Sequence, residues 1–128
     1  DNFSIISKII KAYIHNIPLE LTNNGNAIRD FIHIDDVVDI YSQLLNKPNL
    51  PIVNIGTGSG NSIKNILYFL KMHNINLKIE HKIKEELKIS TTNTDLLLSN
   101  LSIRSFKKVE DYFLEIFNKK VKVYTHHL

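Results

Sequence analysis

The sequence predicts an α/β protein, because apolar residues at helical spacing alternate with short strand-like runs, and asparagine- or glycine-rich turns separate them. In the first helix, Ile6, Ile9, Ile10, Tyr13, Ile14 and Ile17 fall on one face at three- and four-residue steps, and Pro18 ends it. LEL and AIRDFI then read as short strands around Asn23-Asn24-Gly25-Asn26, residues that tolerate the left-handed conformations of tight turns. Asp35 or Asp36 is placed to cap a second helix, with Val37, Val38, Tyr41, Leu44 and Leu45 as its buried stripe.

Pro48 and Pro51 bracket a loop, after which Ile52-Val53-Asn54-Ile55 suits a strand covered on both faces. Gly56, Gly58 and Gly60 form a flexible turn, and Asn61 or Ser62 caps a helix carrying Ile63, Ile66, Leu67 and Leu70 inward. LKIEHKI alternates as a half-buried strand does, and a short helix follows at about Thr94–Leu101. Ser105 is placed to cap a last helix whose Phe106, Val109, Tyr112, Phe113, Ile116 and Phe117 form a heavy apolar stripe. Both hairpin-like and crossover connections are expected, and residues 121–128 read as a loose tail.

A chain of 128 residues with 43% apolar side chains can bury one modest core, so it is one domain or part of one. The absence of cysteine excludes disulfides, thiolate zinc sites and a cysteine nucleophile. No apolar run reaches the length of a spanning helix and the first residues lack signal-peptide design, so the expected location is the cytoplasm, with no membrane partner. The net charge of +3 is uneven: residues 1–60 hold four basic and six acidic side chains, residues 61–128 twelve and seven. The late lysines are not interleaved with aromatics, which argues against a nucleic-acid partner.

Local chemistry leaves several roles open. Arg29, leaving a strand before a helix, can present its planar fork to a phosphate or carboxylate, or form a structural ion pair with Asp30, Asp35 or Asp36. Asp35 and Asp36 near His33 can be read as a metal or acid/base group, but two carboxylates at a helix start more simply serve its free amides and dipole, so no metal is expected. GTGSGNS lacks both GxGxxG spacing and the GK[ST] of a P-loop, and reads as a structural turn.

Gly25, the string Arg29-Asp30-Phe31-Ile32-His33-Ile34-Asp35-Asp36-Val37 and the later Asn54-Ile55-Gly56-Thr57-Gly58 resemble the C-terminal half of extended short-chain dehydrogenases/reductases acting on nucleotide sugars. UDP-glucose 4-epimerases are of this type, and the resemblance covers about residues 3–117. It implies an NAD-dependent epimerase or dehydratase whose sugar is transiently oxidised by the cofactor. It also implies that residues 1–120 are the substrate-binding part, and that Arg29 contacts the nucleotide-sugar diphosphate. The helix and strand within residues 29–56 would return to the cofactor-binding sheet. No catalytic residue is expected here, because neither GxxGxxG nor Tyr-x-x-x-Lys occurs.

The chain is therefore expected to be part of a longer enzyme. NAD would bind an N-terminal Rossmann domain outside it, and the chain alone would be inactive and self-associate or form homo-oligomers. A noncatalytic truncated relative, binding nucleotide sugars or docking on another enzyme, is the alternative.

Departures from the family pattern mark further candidates. An aromatic-glycine pair that lies against the base is replaced by Thr22-Asn23, leaving backbone contacts from Glu20 and Thr22. A second diphosphate arginine and the aspartate three residues on correspond to Ile83 and Glu86, with Lys82 and Lys84 flanking as substitutes, although an ammonium does not copy a bidentate guanidinium.

Overall fold

The computed structural model describes residues 4–50, 53–103 and 105–126. Helix α1 spans Ile5–His15: the Ser4 hydroxyl accepts a hydrogen bond from the Ser7 amide at its start, and Asn16 takes the left-handed conformation at its end. The helix thus stops at Asn16, two residues before Pro18, and buries Ile9 and Ala12. Strand β1 (Leu19–Thr22) runs into a 3₁₀ turn at Asn23–Gly25, and β2 covers Ile28–Arg29. Gly25 has φ +71°, and a Cβ there would lie 2.8 Å from the Lys64 backbone nitrogen, so the turn requires glycine.

Two short sheets follow. β1 pairs in parallel with β4 (Ile79–Lys82), Leu19 opposite Ile79 and Thr22 opposite Lys82. In the other sheet β2 is central, antiparallel to β3 (Asn61–Ser62) and parallel to β5 (Ile89–Ser90), giving the order β3-β2-β5. β1 and β2 therefore do not make the hairpin that their spacing invites, because the asparagine turn passes the chain from one sheet to the other. β4 is exposed at all four positions instead of half-buried. Among the described residues it pairs only with β1, and that sheet's buried residues, Leu19 and Leu21, belong to β1.

Helix α3 (Ile63–Met72) starts at Ser62, whose hydroxyl accepts from the Asn65 amide, and buries Ile63, Ile66 and Leu70. The main core joins Ile9 and Ala12 of α1, Leu19 of β1, Ile66 and Leu70 of α3, Ile75, and Phe113 and Phe117 of α5 (Val109–His126). A second cluster joins Ile40 of α2 (Ile34–Leu44) to Leu97 and Leu101 at α4 (Asp95–Asn100), with Ile32, Val53, Ile55 and Phe106 against it.

Further expectations are corrected. His33, not Asp35 or Asp36, caps α2: its Nδ1 accepts the Asp35 amide at 3.0 Å, and the aspartates occupy the first helical turn. On α2, Ile40 is the buried residue, whereas Val38 and Tyr41 are more than half exposed and Leu45 is 83% exposed. The last helix begins at Val109, not after Ser105, because Phe106 is drawn onto the second cluster while the Lys107 amide donates to Asp36 at 2.8 Å. The α5 backbone continues to His126 through the expected tail; no glycine or proline interrupts it, and Lys119 pairs with Glu115 one turn back at 2.9 Å.

Val53, Asn54 and Ile55 join no strand among the described residues. A strand covered on both faces needs a neighbouring strand, and neither sheet extends to them. Pro51, Ile52 and His127 lie outside the described residues. Among the described residues no helix is long and apolar enough to cross a membrane.

Candidate functional site

Arg29 ends the short strand β2, which two neighbours hold at its sides: Arg29 sits opposite Asn61 on β3 and Ser90 on β5. Its Nη1 donates to the Ile28 carbonyl at 2.9 Å, and its Nη2 faces the Glu86 carboxylate at 3.9 Å. The alternative partners are committed elsewhere. Asp30 accepts from the Thr57 amide at 3.1 Å, the Thr57 hydroxyl at 2.5 Å, the Gly58 amide at 2.9 Å and the Thr92 amide at 3.2 Å. Partial burial pushes the Asp30 carboxyl upward, but these hydrogen bonds outweigh it and hold the group below its ordinary value. Asp35 pairs with the Lys107 ammonium at 2.6 Å.

Arg29 and its neighbours line a cleft of about 180 Å³. Glu20, Thr22, Arg29, Lys84 and Glu86 all contribute, with Lys8 from α1 and an apolar wall of Ile5, Leu21, Ala27 and Ile63. Lys82 does not line it. Its ammonium reaches Glu20 at 3.3 Å, and the same carboxylate takes Lys84 at 3.0 Å. Hydrogen bonds from Lys84, then Lys82, hold the Glu20 carboxyl below its usual value, against a smaller opposing effect of desolvation. Ile83, at the expected place of a second arginine, is 93% exposed.

Five of the six residues expected at the site thus meet in one place, although Glu20 and Glu86 are 66 positions apart. Sequence reasoning missed Lys8, whose signal is only its place on the polar side of α1. It also missed Asn23. This residue has φ +49°, and its side chain crosses to the segment after β4: Nδ2 donates to the Lys84 carbonyl at 2.5 Å and to Glu86 Oε1 at 3.2 Å, while Oδ1 accepts the Lys84 amide at 3.1 Å. The asparagine-rich turn is legible in sequence; the partner of its side chain is not.

The cleft offers three cations, Lys8, Arg29 and Lys84, against two carboxylates, with the Thr22 hydroxyl alongside. Such a set suits an anionic group with several acceptor oxygens. Among the described residues no group of three or more His, Asp or Glu is placed to hold a metal. His33 is engaged as a helix cap and meets Tyr112 edge-on at 5.5 Å between ring centres.

Residues 2–56, which include β1, the asparagine turn, Arg29 and α2, match the NAD dependent epimerase/dehydratase family. Over these residues the chain resembles that family. A rice (Oryza sativa subsp. japonica) relative, "Probable UDP-arabinose 4-epimerase 3", is 39% identical over 64 residues, which are 47% of this chain and 16% of that protein.

Two solved structures agree in fold. A UDP-glucuronic acid 4-epimerase from Bacillus cereus, in complex with UDP-glucuronic acid and NAD, superposes with a TM-score of 0.72 at 21% identity, covering 84% of this chain and 36% of that one. An NAD-dependent NDP-hexosamine 5,6-dehydratase of tunicamycin biosynthesis gives 0.72 at 23% identity over 85% of this chain and 37% of that one. The chain therefore spans well under half the length of these relatives. At these identities the likeness establishes the α/β fold of the family's Rossmann-type enzymes over a partial chain.

Proposed function

We propose that this chain is the nucleotide-sugar-binding part of an NAD-dependent sugar epimerase or dehydratase, with Arg29 and Lys84 holding the diphosphate. The observation that carries this reading is the convergence of Lys8, Thr22, Arg29 and Lys84 on one cleft beside the strand that bears the family's Arg-Asp-Phe string. A guanidinium fixed along one edge by the Ile28 carbonyl is pre-oriented, so less freedom is lost when its other edge meets phosphate oxygens. The role of the cleft is positional: binding the nucleotide end places a distant sugar carbon for chemistry performed elsewhere. Backbone groups of Glu20 and Thr22 are assigned to the base.

The glycine loop of this chain does not fit a dinucleotide. Its Thr57 and Gly58 amides are spent on Asp30, and a Cβ added at Gly58, where φ is +77°, would press on Thr94 Oγ1 at 2.5 Å. We assign NAD to a cofactor-binding domain outside these 128 residues. Along α2 and its C-cap, Ile34, Val38, Tyr41 and Leu45 are 66, 57, 58 and 83% exposed and recur at helical spacing, and this stripe is the surface assigned to that domain.

A noncatalytic nucleotide-sugar-binding role is the second reading, favoured by Ile83 standing where a second arginine is expected. The coding frame upstream of Asp1 separates the two, since an in-frame GxxGxxG and Tyr-x-x-x-Lys belong only to the enzyme.

Calorimetric titration of the chain with UDP, UDP-sugars and dTDP-sugars tests the site. Binding of at least one that is weakened by Arg29→Ala supports it. Affinity for none of them overturns it.

A further inference from the structure

Resting on the anion-site reading above, the geometry points to a built-in competitor: the Glu86 carboxylate, held in place by Asn23, occupies Arg29 in the free chain and must be displaced by the ligand's phosphate. Three observations converge. The Arg29 guanidinium is held through Nη1 by the Ile28 carbonyl, and its other terminal nitrogen, Nη2, faces Glu86. The pair is loose, at 3.9 Å with both side chains about a quarter to a third exposed, so an incoming anion can replace it without opening the fold. Glu86 is also not free to drift away, because Asn23 Nδ2 donates to its Oε1. That same amide is fastened to the Lys84 backbone on both sides, at a residue of positive φ.

Lys84 is treated in the same way by Glu20, at 3.0 Å. The cleft thus keeps Arg29 and Lys84 neutralised by its own carboxylates. A ligand with a single phosphoryl group that takes Arg29 exchanges one anion for another and gains little. A diphosphate reaching both cations has two sets of charge-assisted contacts with which to offset the exchange. Glu86 is on this account a specificity-determining residue that sets the charge a ligand must bring.

The test is Glu86→Gln, which removes the charge and keeps an oxygen to accept from Asn23, measured by calorimetry on the 128-residue chain with inorganic pyrophosphate and UDP. The expected result is affinity higher than the parent's by about twofold to fivefold, the range of a part-exposed ion pair. The gain should vanish when Arg29→Ala is combined with it, because the competitor acts only through that guanidinium. Glu86→Ala serves as the second variant and should tighten binding likewise. If the parent binds and Arg29→Ala weakens it, but Glu86→Gln leaves affinity unchanged or lowers it, the anion site stands and the competitor is overturned. If neither the parent nor the Glu86 variants bind either probe, the competitor falls together with the site.

Discussion

Asp30 grips Thr57 twice, through the backbone amide at 3.1 Å and the hydroxyl at 2.5 Å, and thereby ties the Arg-Asp-Phe string to the glycine loop 27 residues later. The adjacent Arg29 lines the cleft and faces Glu86. One dipeptide therefore supplies both a guanidinium that lines the cleft and a carboxylate that ties its strand to the glycine loop.

Asp30→Asn should destabilise the chain by about 1–3 kcal/mol, since an amide cannot accept from Thr57, Gly58 and Thr92 together as a carboxylate does. The pH dependence has a definite sign. A carboxyl whose folded pKa is lowered contributes its full stability above the unfolded value of about 3.9, and loses it as pH falls through the lower folded value. Urea denaturation between about pH 5 and pH 2 should show a steeper acid limb in the parent than in the variant. Identical limbs would remove Asp30 from the account.

Arg29→Ala should weaken nucleotide-sugar binding by about 1.5–3 kcal/mol, the range for hydrogen bonds to a charged group. Fold stability should change by less than about 1 kcal/mol, because the pair with Glu86 is long and part-exposed. Calorimetry and thermal denaturation of the same preparation check both halves. A large loss of stability would mark the guanidinium as mainly structural.

Replacing Lys82 and Lys84 together by alanine should lower nucleotide-sugar affinity and flatten its decline with added salt, since exposed ammonium groups act within a Debye length of about 10 Å at 0.1 M. Lys84 should account for most of the effect, because it lines the cleft whereas Lys82 reaches only Glu20. A double variant that binds like the parent at low salt would show both to be solvated surface.

The apolar stripe of α2 should drive association of the 128-residue chain at high concentration, because covering each large side chain is worth roughly 1.5–3 kcal/mol. Tyr41→Glu with Leu45→Glu should abolish it without lowering stability, as both side chains are exposed. Light scattering that finds the parent monomeric throughout would show the stripe to be inert.

What the sequence determined by itself was chiefly local or carried by long motifs. Helical spacing placed α1, α3 and the α5 core residues Phe113 and Phe117, and the asparagine and glycine clusters placed their turns, because each depends on residues a few positions apart. The string from Arg29 to Val37 carried the resemblance, and it lies within residues 2–56, which match the NAD dependent epimerase/dehydratase family. Tertiary structure decided what no window can contain. His33 caps α2, and Asp35 instead takes the ammonium of Lys107, 72 positions away. Ile40 became the buried side of α2 because Leu97 and Leu101 lie there. Asn23 reached Glu86 because β1 pairs with β4, which brings two loops 63 residues apart to the same end of one sheet. Periodicity records which face of an element is apolar, whereas the partner for that face is set by chain crossings that bring distant segments together.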